Sequence, residues 1–234
     1  QFNQLTWTNA TGTSATTTNL STRNLNIATS TNATTWMTWA NTKFLTASGT
    51  SLFLGLGAGT SSQTTNSSNT GIGYWALQAN TTGGQNTSVG YAALGANTTG
   101  SWNTAYGSQA LQSNTTGTAN IANGSAAMIS NITGSYNVSL GNQAVYQNTS
   151  GSYNVGVGPS TLFQNVTGNA NVALGWKALE GTFGQSMSSS TALGSWAGKT
   201  NTTGNNNLYL GDEADALAGT YSNSAAIGSH AKVG

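Results

Sequence analysis

The stretch "NTTGGQNTSVGYAALGANTTGSWNTAYGSQALQSNTTG", residues 80 to 117, returns to the same phrases at a fixed interval. Asn-Thr-Thr-Gly begins at Asn80, Asn97 and Asn114, and Ala-Leu stands at Ala93-Leu94 and Ala110-Leu111. Working outward, a glycine that usually follows an apolar residue extends the series through Gly57, Gly73, Gly90, Gly107, Gly124, Gly141, Gly158, Gly175, Gly194, Gly211 and Gly228. Most steps are 17 residues, with a step of 16 from Gly57 and one of 19 between Gly175 and Gly194. A fixed period of this size marks a repeat architecture.

The register within the period says which one. Asn stands four residues before the glycine at Asn69, Asn86, Asn103, Asn120, Asn137, Asn154, Asn171 and Asn207. Large and small residues then alternate, as in Val138-Ser139-Leu140 and Val172-Ala173-Leu174. Period-two alternation over so short a run predicts a brief strand with one buried face. Ala76-Leu77, Ala93-Leu94, Ala110-Leu111, Ala127-Met128, Ala144-Val145 and Ala178-Leu179 follow the glycine. They predict a second short strand or corner supplying one large inward side chain per repeat. Asn-Thr-Thr-Gly then closes the coil, with Asn and Gly placed where a turn calls for positive φ. Together these elements make one coil of a parallel β-solenoid, an all-β fold of 17-residue coils. Asn stacks on Asn and Leu on Leu at about 4.8 Å, and the rod is roughly 48 Å long.

Composition narrows the function. Only 4% of the 234 residues are charged, and no Lys, Arg, Asp or Glu falls between Lys43 and Lys177. That span holds no carboxylate pair and no basic phosphate clamp. A net charge of +1 offers no footprint for nucleic acid. Cysteine is absent, and no apolar run reaches the roughly 18 residues of a membrane span. The chain starts at Gln1 with neither Met nor a signal-peptide pattern, which reads as a processed chain or a fragment. So thin a rod has a poor core for a single chain, and repeats stabilise one another along one dimension only. The Ala-Leu column is therefore expected to face either the core or identical chains in a closed homotrimer.

The stretch Ser224 to Gly234, "SAAIGSHAKVG", resembles the head repeats of YadA-type trimeric autotransporter adhesins. The longer phrase "NTSVGYAALGANTTGSW", residues 86 to 102, is similar to collar and shaft repeats of phage and virus tail fibres, and "FLGLGAG" at Phe53 to Gly59 looks like the start of such an array. The resemblance covers residues 52 to 234 and implies a trimeric β-roll in an extracellular or virion fibre. The adhesin repeat is usually shorter than this one, and the chain shows neither a C-terminal chaperone nor a membrane anchor. Residues 1 to 51 lack the period and are rich in Thr and Asn. They are expected to form an extended shaft or attachment segment with Trp7, Trp36 and Trp39 as packing anchors.

Candidate sites are few. Asp212, Glu213 and Asp215 form a carboxylate cluster that reads either as a Ca²⁺ site repeated around an axis or, preferably, as a solvated coil that discourages end-to-end sticking. His230 has no triad partners. The Gly-x-Gly sequences precede no helix pattern and read as solenoid corners rather than phosphate loops. Asn80, Asn97, Asn114, Asn131, Asn148, Asn165 and Asn201 each begin an Asn-x-Ser/Thr acceptor pattern. They are expected on an outer turn, open either to N-glycosylation or to a purely turn-forming role. The long step carries "LEGTFGQSMSSST" from Leu179 to Thr191. There Glu180, Phe183 and Met187 form a candidate contact loop, or else a tolerated insertion.

No cofactor and no enzyme activity follow from these residues. The expected function is a structural or adhesive subunit of an extracellular viral or phage tail fibre, partnered by itself and by a host-surface receptor or glycan. A cell-surface adhesin or filament subunit is the alternative, which the acceptor column favours. A polysaccharide-cleaving spike would need carboxylates paired across a groove.

Overall fold

The computed structural model describes residues 35–39, 42–61, 67–182, 184 and 186–234. Strands β1 (Thr35–Trp39) and β2 (Thr42–Ser48) pair antiparallel, and β2 pairs antiparallel with β3 (Ser51–Leu54). From β3 onward every partner in the sheet is parallel. The strands are three-residue pieces: β4 (Thr70–Ile72), β5 (Thr87–Val89), β6 (Thr104–Tyr106), β7 (Ile121–Asn123), β8 (Val138–Leu140), β9 (Val155–Val157), β10 (Val172–Leu174), β11 (Thr191–Leu193) and β12 (Leu208–Leu210). After β13 (Asp215–Ala216), β14 (Ala225–Ile227) joins the same 13-stranded sheet, while β13 pairs with β15 (Lys232–Val233). The chain is an all-β parallel solenoid. Within the segment expected to be extended, residues 1 to 51, Thr35–Trp39 and Thr42–Ser48 are strands β1 and β2 at one edge of the sheet; Trp7 lies outside the described residues.

The coils of β4 to β11 have one strand each, with the Ala-Leu segment as a corner, and only the coils of β12 and β14 add a second short strand, β13 and β15. The Ala-Leu segment is a run of turns in which alternate residues are left-handed, such as Ala92 (φ 52°) and Leu94 (φ 50°). A left-handed side chain costs about 1–2 kcal/mol, and even β-branched Val145 adopts φ 51°. The conformation holds because each such backbone finds a partner one coil away. Leu94 N donates to Ala110 O at 3.0 Å, Leu111 N to Ala127 O at 3.0 Å and Val145 N to Thr161 O at 2.8 Å.

The glycine column requires φ between 119° and 144° from Gly55 to Gly228, a region open only to glycine. Its first member is Gly55 rather than Gly57, because β3 pairs with β4 through Leu52 with Thr70 and Leu54 with Ile72. Gly57 lies instead beneath the Trp75 indole, where a Cβ would collide with the ring. The first step is therefore 18 residues, not 16.

The core is one side chain thick. The middle residue of each strand points inward, and most are small: Ser88, Ala105, Ala122, Ser139, Gly156, Ala173 and Ala192. Opposite them, Leu77, Leu94, Leu111, Met128, Val145, Leu162 and Leu179 are fully buried within this single chain. At each end the pattern inverts. Gly59 and Gly198 take the place of the leucine, and the rings of Phe53 and Tyr209 fill that space, since a Cβ on either glycine would strike the ring. Total volume is conserved while the large residue changes side. The Ala-Leu column thus belongs to the core and presents nothing to a neighbouring chain. Leu111→Ala should lower stability by about 2–5 kcal/mol, read as a fall in the denaturant midpoint at unchanged slope.

Candidate functional site: buried asparagine columns, an aromatic cluster and an apolar strand face

The seven acceptor asparagines are not on an outer turn. Asn80, Asn97, Asn114, Asn131, Asn148, Asn165 and Asn201 are all fully buried. In each, Nδ2 donates to the carbonyl of the glycine that ends the same Asn-x-x-Gly, as from Asn97 to Gly100 at 2.9 Å and from Asn114 to Gly117 at 3.0 Å. It donates also to the preceding coil: Asn97 to Asn80 Oδ1 at 2.7 Å, Asn114 to Asn97 and Asn131 to Asn114 at 2.8 Å, Asn148 to Asn131 at 2.8 Å. A sugar on such a nitrogen would replace hydrogen-bonded protons and need volume the core lacks. N-glycosylation at these positions and the folded coil exclude one another.

A second column, from Asn69 to Asn171, meets the first at the same glycine. Asn69 Nδ2 donates to Gly83 O at 2.8 Å, where Asn80 Nδ2 also donates at 2.9 Å, and Asn86 and Asn97 share Gly100 O likewise. Asn69 Oδ1 accepts from the Asn86 backbone N at 2.8 Å, a link repeated through Asn171. The glycine here is demanded by space, not by φ. A Cβ on Gly100 or Gly117 would run into its own asparagine's Oδ1 and the next coil's glycine carbonyl.

The long step breaks the first column. No asparagine follows Asn165 in register, and its buried Oδ1 has no hydrogen-bond partner; Asn148 and Asn201 Oδ1 are also unpaired, Asn148 even though Asn165 follows it at 17 residues. Met187, expected on a contact loop, is instead fully buried in the core. Its carbonyl takes over the glycine's role by accepting from Asn171 Nδ2 at 2.7 Å. Glu180 is tied to Lys177 at 2.9 Å, and Phe183 lies outside the described residues.

Beside this coil stands a cluster that the sequence reading missed. The Trp176 and Trp196 rings meet edge to face at 5.0 Å, with Lys177 Nζ 4.4 Å and Lys199 Nζ 5.1 Å from the Trp196 centroid. Trp176 and Lys177 are the first and second residues after Gly175, and Trp196 and Lys199 the second and fifth after Gly194, so aligning the two coils on the column glycine across the 19-residue step would have brought them near one another. A hollow of about 680 Å³ opens farther along the rod, where Ala92, Gly95 and Ala96 leave room between Trp75, Gln78 and Gln112. None of its lining residues carries a charge.

The three carboxylates do not converge. Asp212 is exposed, Glu213 reaches Lys199 at 3.5 Å, and Asp215 is buried, accepting from Thr200 Oγ1 and Ala216 N at 2.9 Å. Among the described residues no group of His, Cys, Asp and Glu is placed to hold a metal ion. His230 is exposed, its Nδ1 2.9 Å from Ser229 Oγ. The Tyr209 hydroxyl, buried without a hydrogen-bond partner, is pushed up to about 12, by burial first and by the Asp215 charge second, against a small opposing effect of Ser224.

The largest continuous feature is apolar and outward. The residue before each column glycine, third in the three-residue strands and last in β3, forms a column of Leu54, Ile72, Val89, Tyr106, Asn123, Leu140, Val157, Leu174, Leu193, Leu210 and Ile227. Ile227 and Tyr106 are about 60% exposed, at 63% and 59%, and most of the others near 40%. The residues two positions earlier form a parallel column of mixed character, with Leu52, Ile121, Val172 and Leu208 exposed beside Thr87, Thr104 and Thr191. No protein-family model, curated protein or solved structure matches this chain.

Replacing Thr182–Met187 by Asn-Thr-Thr-Gly removes two residues and restores the 17-residue register. The variant should gain about 1–2 kcal/mol by giving Asn165 Oδ1 a donor, measured by chemical denaturation. A loss would show that Met187 burial outweighs the missing amide. Tyr209 binds its proton more tightly folded than unfolded. Its contribution to stability is complete below about pH 10 and declines as pH rises towards about 12. Tyr209→Phe should flatten that alkaline loss in the denaturant midpoint.

Proposed function

We propose that the chain is a non-enzymatic structural and adhesive subunit of an extracellular trimeric fibre, a viral or phage tail fibre that serves host attachment. The observation that carries this reading is the exposed strand face. Its column from Leu54 to Ile227, apolar but for Asn123, runs the length of the solenoid, about 50 Å at one coil per 4.8 Å, beside a column in which apolar residues and threonines mix. Contiguous apolar surface beyond a few hundred Å² marks an interaction site on a soluble protein. A stiff rod with one apolar side and little charge elsewhere is suited to bundling with parallel copies of itself. The resemblance of the repeats to those of trimeric fibres supports three copies in the bundle.

The burial of the acceptor asparagines removes one of the two features that favoured a cell-surface adhesin, the other being the missing initiator Met, and the separated carboxylates do not support a polysaccharide-cleaving spike. Attachment to a host receptor or glycan would use faces that bundling leaves open, namely the Trp176 and Trp196 cluster and the uncharged hollow beside Trp75. Sedimentation at micromolar concentration should give three times the 23.7 kDa chain mass. Leu140→Asp combined with Leu174→Asp should give monomers with unchanged far-ultraviolet circular dichroism, because both side chains point away from the core. A wild-type chain that stays monomeric across that range overturns the reading.

A further inference from the structure

The column of residues before the column glycines contains one strongly polar member. Between Tyr106 and Leu140 stands Asn123, and the remaining members from Leu54 to Ile227 are aliphatic. Asn123 ends β7, exposed, with Ile121 exposed on the same strand. Its backbone is fully used, N–H to the ladder and carbonyl accepting from Gly141 N at 2.8 Å. Its side-chain amide, unlike those of the buried asparagine columns, makes no hydrogen bond to any described residue. An amide in the middle of an apolar strip is satisfied by water while the strip is open and must find another partner once the strip is covered.

We propose that Asn123 fixes the register and polarity of self-association, by meeting the Asn123 amides of the neighbouring copies across the covered strand face. This rests on the reading of that face as a self-association surface. An amide carries both a donor and an acceptor, so identical amides brought together satisfy each other. They come together only when the copies run parallel with every coil level. A slip of one coil sets Asn123 against Tyr106 or Leu140, and full-length antiparallel pairing sets it against Val157. The amide set against Leu140 or Val157 is buried with no partner, a penalty of about tenfold or more in association, and the one set against Tyr106 meets only a hydroxyl. The aliphatic members cannot discriminate in this way, because Leu, Ile and Val at a 4.8 Å repeat pack about equally well at any whole-coil offset. A lone polar residue within an apolar seam is a known means of choosing one register at some cost in affinity.

The test uses the absence of cysteine from the chain. A nitroxide on Ser229→Cys, on an exposed residue near one end of the rod, reports distances between copies by pulsed dipolar spectroscopy. Otherwise wild-type chains should give one short, narrow distance. With Asn123→Leu, association should tighten about tenfold, while the distribution broadens to several distances from slipped and reversed copies. Asn123→Gln, which keeps the amide, should retain the single short distance. If Asn123→Leu assembles with the same narrow distance as wild type, the register role is wrong and the self-association reading stands. If the wild-type chain shows no coupling between copies and sediments as a monomer, both fall.

Discussion

The structure depends on a carbonyl that serves two amides. In each regular coil the glycine of Asn-Thr-Thr-Gly turns its C=O inward and accepts from an asparagine on either side, one three residues before it and one fourteen residues before it. A buried carbonyl or amide left unpaired costs more than a typical hydrogen bond contributes. A core this narrow has no room for water to relieve it. The two asparagine columns therefore act as polar walls of the solenoid, and their second atoms tie each coil to the next. The absence of a Cβ on the glycine is what allows both amides to reach the same oxygen.

The same stacking supports a backbone that would be strained in isolation. Left-handed residues such as Trp75, Leu77, Ala92 and Leu94 recur twice in each Ala-Leu segment. Each closes its conformation with a bond to an adjacent coil, so the strain is tolerated only within a stack. Stability in such a rod comes from nearest neighbours, and the long step at Gly175 to Gly194 is a weak joint. There Asn165 loses its successor, and Met187 plugs the core in place of the missing register. The aromatic and lysine cluster on Trp176, Lys177, Trp196 and Lys199 spans the surface of this joint, with cation–π contacts linking the coils from outside.

Function separates by face. The inner side is closed within one chain, and the strand side is apolar and open. The remaining surface is neutral, polar and punctuated by aromatics. The proposed self-associating fibre would use the strand side as its seam and keep attachment surfaces away from it, and the single amide at Asn123 would give that seam a direction.

The period, the parallel solenoid and the short strand after each asparagine were determined by the sequence itself, whereas the leucine column stayed open between the core and a neighbouring chain. They follow from local repetition: a residue type that recurs every 17 positions must stack on itself, and alternation within three residues assigns an inward side. What only the tertiary structure decided was the direction of side chains in the turns. Asn-Thr-Thr-Gly has the composition of an exposed turn, and nothing local in it tells whether Asn80 or Asn97 points out to water or in to a carbonyl. That depends on the glycine carbonyl of the same coil and the asparagine of the preceding one. The first register was misplaced for a similar reason, since Gly55 and Gly57 both follow a leucine and only pairing of β3 with β4 distinguishes them. Met187 looked like an apolar residue on a protruding loop because the gap it fills, left by an absent asparagine, exists only once the coils are stacked.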